Sequence, residues 1–199
     1  MNLKDSETRL NLMRAFAGES QARNRYNMAA SVARKEGQYF ISKIFDFTAN
    51  QEQAHATVFY GFLKEINDTN FDFTASYPIN CYDTTAKHIQ AAVHNEYEEY
   101  NSAYKNFADI ASKEGFNAIA NAFTMIAEIE KIHAERFETI DRMIADGSLT
   151  KGNDQTIWVC SNCGHIHTGS AAPMMCPVCS HAQGYFVNDC FKEKTTVLV

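Results

Sequence analysis

The sequence predicts a mainly α protein: four long helices bundled with one long crossover, followed by a small metal-held module of short strands. Three observations predict it. Only three prolines interrupt 199 residues, and proline removes a helix donor and clashes with the preceding turn. The first 146 residues contain one of those prolines, Pro78, and one of the six cysteines, Cys81. Four of the remaining cysteines crowd between positions 160 and 179, too close together to be scattered core thiols.

Helix one starts near Asp5 or Ser6, either of which can cap free amide groups, and ends at about Lys35. Its apolar positions Leu10, Met13, Ala17, Met28 and Val32 recur mostly at three- and four-residue steps, the spacing of an apolar helix stripe. Gly37 ends it. Helix two covers residues 39–66, with Ile41, Ile44, Phe45, Phe59 and Leu63 as the inward face. Helix three begins near Thr84 or Thr85 and stops around Lys113, before Gly115; helix four covers residues 116–146 and is stopped by Gly147. At about 1.5 Å per residue each is roughly 40 Å long. The breaks at Gly37 and Gly115 are short, so each flanking pair is an antiparallel hairpin. Residues 67–83 are aromatic-rich and carry Pro78, and they form the crossover between hairpins. Two helical hairpins joined by one long crossover is the ferritin-like four-helix arrangement.

Composition shifts near Gly147, where glycine follows a helix end and polar residues follow glycine. The expected organisation is a bundle at 1–146, a linker at 147–154 and a cysteine module at 155–199. The net charge of −6, from 18 basic and 24 acidic residues, argues against nucleic-acid binding, since no Lys/Arg excess exists to displace counterions. No uncharged apolar run of about 18 residues occurs, and the first 14 residues carry charge throughout, so neither a membrane span nor a secretory signal is expected.

An internal repeat supports the paired hairpins. Lys35-Glu36-Gly37 recurs as Lys113-Glu114-Gly115, and the same offset carries Glu52 onto Glu130, His55 onto His133 and Tyr26 onto Tyr104. Glu52-x-x-His55 and Glu130-x-x-His133 each place a carboxylate and an imidazole on one helix face, where they can share a metal ion. One such tetrapeptide is weak evidence, whereas two at equivalent positions of a duplicated hairpin are strong. Helix one adds Glu19, and helix three adds Glu96 and Glu99, three apart and so on one face. Glu98 and Glu128 lie about 200° around the helix from Glu96 and Glu130 and belong to solvated faces. His88 and His94 have no partner at ligand spacing and are expected at the surface or core edge. The candidates Glu19, Glu52, His55, Glu96, Glu99, Glu130 and His133 exceed the needs of one ion. Two ions bridged by carboxylates use them well, and carboxylates mixed with imidazole suit iron or manganese.

Cys160-x-x-Cys163 and Cys176-x-x-Cys179 form a paired CxxC motif, in which each loop turns two thiolates toward one metal. Gly164 and Pro177 suit tight knuckle turns. The pattern fits a zinc ribbon or a single iron. Cys81 and Cys190 fall outside it and read as free thiols. Trp158, Tyr185, Phe186 and Phe191 supply a small core to a module otherwise held by its metal.

In the order Ala17-Gly18-Glu19-Ser20-Gln21-Ala22-Arg23, Glu52-x-x-His55, Glu96-x-x-Glu99, Glu130-x-x-His133 and the Cys160, Cys163, Cys176, Cys179 quartet, the sequence resembles the rubrerythrin family over nearly its whole length. The resemblance implies a ferritin-like di-iron domain followed by a rubredoxin-like domain, with two Fe ions in the first and one Fe in the four-cysteine site of the second. It implies a non-haem peroxidase that reduces hydrogen peroxide to water and protects against oxidative stress. Glu19, Glu52, Glu96, Glu99, Glu130 and His133 would ligate the iron pair, with Glu52 and Glu130 as bridges. His55 and Glu99 would exchange at one iron as its oxidation state changes, and Tyr26 and Tyr104 would stand beside the site. Electrons would come from a rubredoxin or an NAD(P)H-dependent reductase by way of the four-cysteine iron. A cytoplasmic homodimer or higher oligomer, arranged head to tail, is expected. The competing readings are a ferroxidase or iron-handling ferritin-like protein, and a zinc-ribbon interaction module on a metal-bearing bundle.

The repeat fails at one place. Glu19 aligns with Tyr97 at the 78-residue offset rather than with Glu96 or Glu99, so the two iron sites should differ.

Overall fold

The computed structural model describes residues 2–189 and residue 191. Its helices are α1 (Glu7–Lys35), α2 (Tyr39–Phe62), α3 (Thr85–Glu98), α4 (Tyr104–Lys113) and α5 (Asn117–Asp146). A 3-10 turn at Leu63–Ile66 finishes the second predicted helix. A π turn at Glu99–Ala103 joins α3 to α4, which together are the third. Residues 67–83 form neither helix nor strand, as expected of the crossover. The result is a ferritin-like four-helix bundle followed by a small sheet.

The duplicated Lys-Glu-Gly has two tasks in each copy. Gly37 and Gly115 take φ of +73° and +88°, a region that side chains with a Cβ avoid. This lets Gln38 N bond Ala33 O at 2.8 Å and Phe116 N bond Ala111 O at 2.8 Å, closing the two helix ends alike. The glutamates then cap the opposite hairpin. Glu114 accepts from Glu7 N (2.9 Å), Thr8 N (2.8 Å) and Thr8 Oγ1 (2.5 Å) at the start of α1. Glu36 accepts from Thr85 N (2.8 Å) at the start of α3.

Contacts group the described residues into two compact units, one of residues 2–26, 48–80 and 91–135, the other of residues 27–47, 81–90, 136–189 and 191. The core of the first contains Leu12, Phe59, Tyr104 and Phe123, with the Phe59 and Phe123 rings stacked at 4.8 Å. In the second, Ile41, Ile44, Phe45, Ile89, Phe137 and Ile140 are sealed from solvent. That unit also contains the antiparallel sheet, ordered β2-β1-β3 from β1 (Ile157–Cys160), β2 (Ile166–Thr168) and β3 (Phe186–Asn188). Trp158 pairs with His167 on one side and Asn188 on the other. Its fully buried indole donates to Gly169 O at 2.8 Å, which satisfies the one polar atom in that ring. Thr150 and Gly152 hydrogen-bond Ala172 and Ser170.

The apolar stripe expected for α1 is not the buried face: Met28 is 55% exposed and Leu10, Met13, Ala17 and Val32 are only half-buried. Thr8, Leu12, Ala15, Glu19, Ala22, Tyr26, Ala29 and Ala33 point inward instead. An inward face that carries a carboxylate and a phenol needs small neighbours, so hydrophobicity does not mark it. The face expected for α2 is buried as read, from Ile41 to Leu63.

Candidate metal centres

Within the first unit, Glu19 of α1, Glu52 and His55 of α2, Glu96 of α3, and Glu130 and His133 of α5 converge, none more than 6% exposed. Their ligand atoms form two overlapping sets, each within 4.8 Å: Glu19, Glu52, His55 and Glu130; and Glu52, Glu96, Glu130 and His133. Glu52 and Glu130 belong to both. His55 Nδ1 lies 2.9 Å from Glu130, 3.3 Å from Glu52 and 3.7 Å from Glu19. His133 Nδ1 lies 2.8 Å from Glu130, 3.1 Å from Glu52 and 3.6 Å from Glu96.

These close approaches are not hydrogen bonds. Both Nδ1 atoms, both oxygens of Glu52 and of Glu130, and one oxygen each of Glu19 and Glu96 are buried without a hydrogen-bond partner. Buried polar groups are nearly always paired, so lone pairs facing a common point mark a place for cations. Electrostatics agrees. Burial, then repulsion from Glu52, pushes the Glu19 carboxyl up to about 8. Burial likewise raises Glu96 and Glu99. For the histidines burial works the other way, yet the surrounding carboxylates hold both imidazoles well above their ordinary range. The pocket is short of positive charge, and metal ions would supply it.

The remaining atoms orient the set. His133 Nε2 donates to Gln51 Oε1 at 3.1 Å, which leaves Nδ1 free to bind a metal. The Tyr26 hydroxyl donates to Glu96 and the Tyr104 hydroxyl to Glu19, a crossed pair that follows the duplication. Gln51 carries no sequence signal. Only the fold turns its side chain onto the ring nitrogen.

The π turn accounts for the broken repeat. Glu19 precedes Tyr26 by seven residues, whereas Glu96 precedes Tyr104 by eight. Tyr104 N bonds Glu99 O, five residues back, so one extra residue is absorbed and both tyrosines still reach their carboxylates. Glu99, at the start of that turn, lies outside both ligand sets. It lines a cavity of about 520 Å³ with Arg14, Gly18, Tyr77, His94 and Tyr104 among others. Tyr77 of the crossover donates to Arg14 O at 2.7 Å, and Arg14 Nε donates back to Thr74 O at 2.9 Å, clipping the crossover to α1.

Glu98, Glu128 and His94 are exposed, whereas His88 is buried, with Nε2 2.9 Å from Tyr82 O. Cys81 is exposed with a free thiol; Cys190 lies outside the described residues.

Within the second unit, the Sγ atoms of Cys160, Cys163, Cys176 and Cys179 cluster within 4.8 Å, with Cys160–Cys179 and Cys163–Cys176 both at 3.7 Å. A disulfide needs about 2.05 Å, but a tetrahedron with metal–sulfur legs of about 2.3 Å has edges of about 3.8 Å. Two matching knuckles build it. Gly164 N bonds Cys160 O and Cys160 N bonds His165 O, while Ser180 N bonds Cys176 O and Cys176 N bonds His181 O. Gly164 (φ +79°) and Ser180 (φ +59°) take equivalent left-handed positions, and the serine gave no warning of it in the sequence.

Comparison with known proteins agrees with both centres. The rubrerythrin family model matches residues 11–140, and the rubrerythrin rubredoxin-like domain model matches residues 158–187. The chain is 42% identical to rubrerythrin of Clostridium perfringens, over 96% of this chain and 98% of that protein. It is 40% identical to rubrerythrin of Nitratidesulfovibrio vulgaris, over 93% and 95%. A solved structure of nigerythrin in its fully reduced, all-ferrous state superposes with a TM-score of 0.62 at 26% identity, over 92% of this chain and 90% of that one.

Proposed function

The chain belongs to the rubrerythrin family, an iron-binding oxidoreductase family with a di-iron site and a rubredoxin-like iron–tetrathiolate site, and from that premise we propose that it is a peroxidase reducing hydrogen peroxide to water. The observation that carries the reading is the pair of overlapping sets sharing Glu52 and Glu130. Glu19, Glu52, His55 and Glu130 would hold one iron, and Glu52, Glu96, Glu130 and His133 the other. When bound, the ferrous pair supplies two electrons and Lewis-acid stabilisation of the peroxide oxygens.

The chain's own residues do the rest. Glu52 and Glu130 each offer two unpartnered carboxylate oxygens and belong to both ligand sets, so they would serve both irons. Tyr26 and Tyr104 donate to Glu96 and Glu19, which fixes each carboxylate's orientation and leaves its second oxygen for metal. The cavity beside Glu99 is large enough for a two-oxygen substrate and its water. Glu99 faces it from a π turn, a place where helices locally loosen at functional sites. His55 would be the neutral ligand and Glu99 the anionic one available to the same iron, the carboxylate being the better match for a ferric charge.

Cys160, Cys163, Cys176 and Cys179 would hold the third iron, which would supply one-electron relay chemistry between the di-iron site and a rubredoxin or an NAD(P)H-dependent reductase. We further propose a domain division at 1–146, 147–154 and 155–199, a cytoplasmic location and a head-to-tail homodimer at least. Among the described residues no helix is long and apolar enough to cross a membrane.

The test is anaerobic. The fully reduced protein receives one equivalent of peroxide, or in a parallel run dioxygen, while both iron chromophores are followed optically. Peroxide should oxidise the di-iron site within mixing, with dioxygen slower by an order of magnitude or more. Faster oxidation by dioxygen would overturn the peroxidase reading in favour of a ferroxidase.

A further inference from the structure

We propose that Lys43 of α2 raises the reduction potential of the four-cysteine iron by gripping the far end of a peptide that hydrogen-bonds a ligating sulfur. This rests on the reading of Cys160, Cys163, Cys176 and Cys179 as an iron relay. Lys43 Nζ donates to Ser161 O at 2.6 Å, with Ser161 Oγ 3.4 Å away. The Ser161 carbonyl and the Asn162 N–H are two ends of one planar peptide unit. Burial raises the Cys160 thiol, and the hydrogen bond this Asn162 N–H offers the sulfur works against that rise. An ammonium on the oxygen end withdraws electron density from the N–H end and strengthens its bond to sulfur. By this path Nζ lies within about 9 Å of the sulfur.

Lys43 is held in place rather than waving in solvent. It is half-buried, with Nζ 5.6 Å from the Tyr185 ring centroid. Tyr185 is itself pinned: it stacks on Tyr39 at 4.4 Å and receives the edge of His181 at 4.5 Å. Its carbonyl accepts from Ser161 N at 2.8 Å, so the same residue that braces the lysine also braces the knuckle. Gly184 packs so closely on the Gly37 carbonyl that no Cβ would fit there.

The physical consequence follows from charge. Four thiolates and one iron gain a unit of negative charge on reduction. A fixed cation nearby, and a stronger N–H···S bond, both favour the reduced form. Hydrogen bonds to sulfur, net charge and solvent exposure are the levers that set iron–thiolate potentials. A half-buried ammonium is screened less than a surface one. Lys43 is therefore a positioning residue for the relay, acting through the Ser161–Asn162 peptide.

The experiment is a spectroelectrochemical titration of the ferric-thiolate absorbance in the full-length, iron-loaded protein. Lys43→Met should lower the reduced-to-oxidised ratio at a given potential about three- to tenfold, a tenfold change being about 59 mV for a one-electron couple. Lys43→Arg should recover most of that loss. Tyr39→Leu, which removes a bracing ring but no charge, should move the potential much less. An unchanged potential in Lys43→Met, or an equal shift in Tyr39→Leu, overturns the proposal while leaving the iron relay intact. Absence of any reducible ferric-thiolate absorbance in the parent protein removes the relay itself, and the role of Lys43 with it.

Discussion

Glu19, Glu52, Glu96 and Glu130 are carboxylates removed from water with two imidazoles and two phenols as company. Without metal such a cluster stays folded only by holding extra protons. The folded Glu19 carboxyl titrates near 8, against 4.5 as its ordinary value, chiefly through burial. Between those values the folded state binds more protons than the unfolded state, so stability falls as pH rises. The histidines add to this in the same direction. Carboxylates raise both despite burial, so their contribution is complete below about 6.5 and is lost as pH climbs toward their folded values. Iron-free protein should therefore melt at progressively lower temperature from about pH 5 to pH 8, by several degrees. Iron-loaded protein should be nearly flat over that window, because metal takes over the role of the protons. Circular dichroism melts of both forms check this, and a metal-free protein that stabilises with rising pH would contradict it. At this scale much was legible. Both Glu-x-x-His pairs and both CxxC pairs declared themselves by spacing, because ligand geometry is local in a helix or a knuckle. Gln51 and Lys43 did not, because each acts on a group that only tertiary structure brings near, and Ser180 did not because its left-handed knuckle position falls on a residue other than glycine.

Elements carry the duplication. In each hairpin one Lys-Glu-Gly ends a helix, and its glutamate caps the first helix of the other hairpin. Side-chain caps contribute about 1 kcal/mol, so Glu114→Ala and Glu36→Ala should each lower stability by about that amount, with Glu114→Ala the more costly because it loses three donors. Urea melts measure it. Partial burial acts to raise the Glu114 carboxyl, but its bonds from Thr8 and Glu7 hold it below the usual carboxylate range. The capping contribution is therefore full above about 4.5 and fades as pH falls through the lower folded value, a dependence Glu114→Ala should lack. The repeated tripeptide was visible in the sequence; its capping role was not, since the two glutamates lie 107 and 49 residues from the amides they serve. The π turn was half legible. A one-residue slip between Glu19 and Glu96 could be read, but not that Glu99–Ala103 absorbs it. Deleting Asn101, exposed within that turn, should force α geometry and pull either Glu96 or Tyr104 off its partner. Iron bound at the di-iron site should fall by about half or more, as counted by metal analysis, with helix content retained. Full iron occupancy after the deletion would show that the extra residue is dispensable.

The two metal sets share no residue and come from different contact units, the carboxylate–histidine set from the first and the thiolates from the second. On the proposed peroxidase reading, catalysis has two separable requirements: consuming peroxide, and replacing the electrons consumed. The division also explains why the −6 charge said little about function. Five of the acids behind it, Glu19, Glu52, Glu96, Glu99 and Glu130, are buried or half-buried around the di-iron site and show solvent little of their charge. Cys176→Ser separates the requirements. It replaces one buried thiolate with a hydroxyl, a poor ligand for a site built on four sulfurs, and leaves every carboxylate and histidine in place. The variant, reduced chemically, should still oxidise one equivalent of peroxide in a single turnover at close to the parent rate. Reductase-driven turnover should fall at least a hundredfold, about 2.7 kcal/mol in the barrier, because the relay cannot deliver a second pair of electrons. Stopped-flow measurement of the first turnover beside steady-state NADH consumption reads both quantities from one preparation. Undiminished NADH-linked turnover would mean that electrons reach the di-iron site without the thiolate iron. A collapse of the single turnover as well would mean that the two centres are not separable.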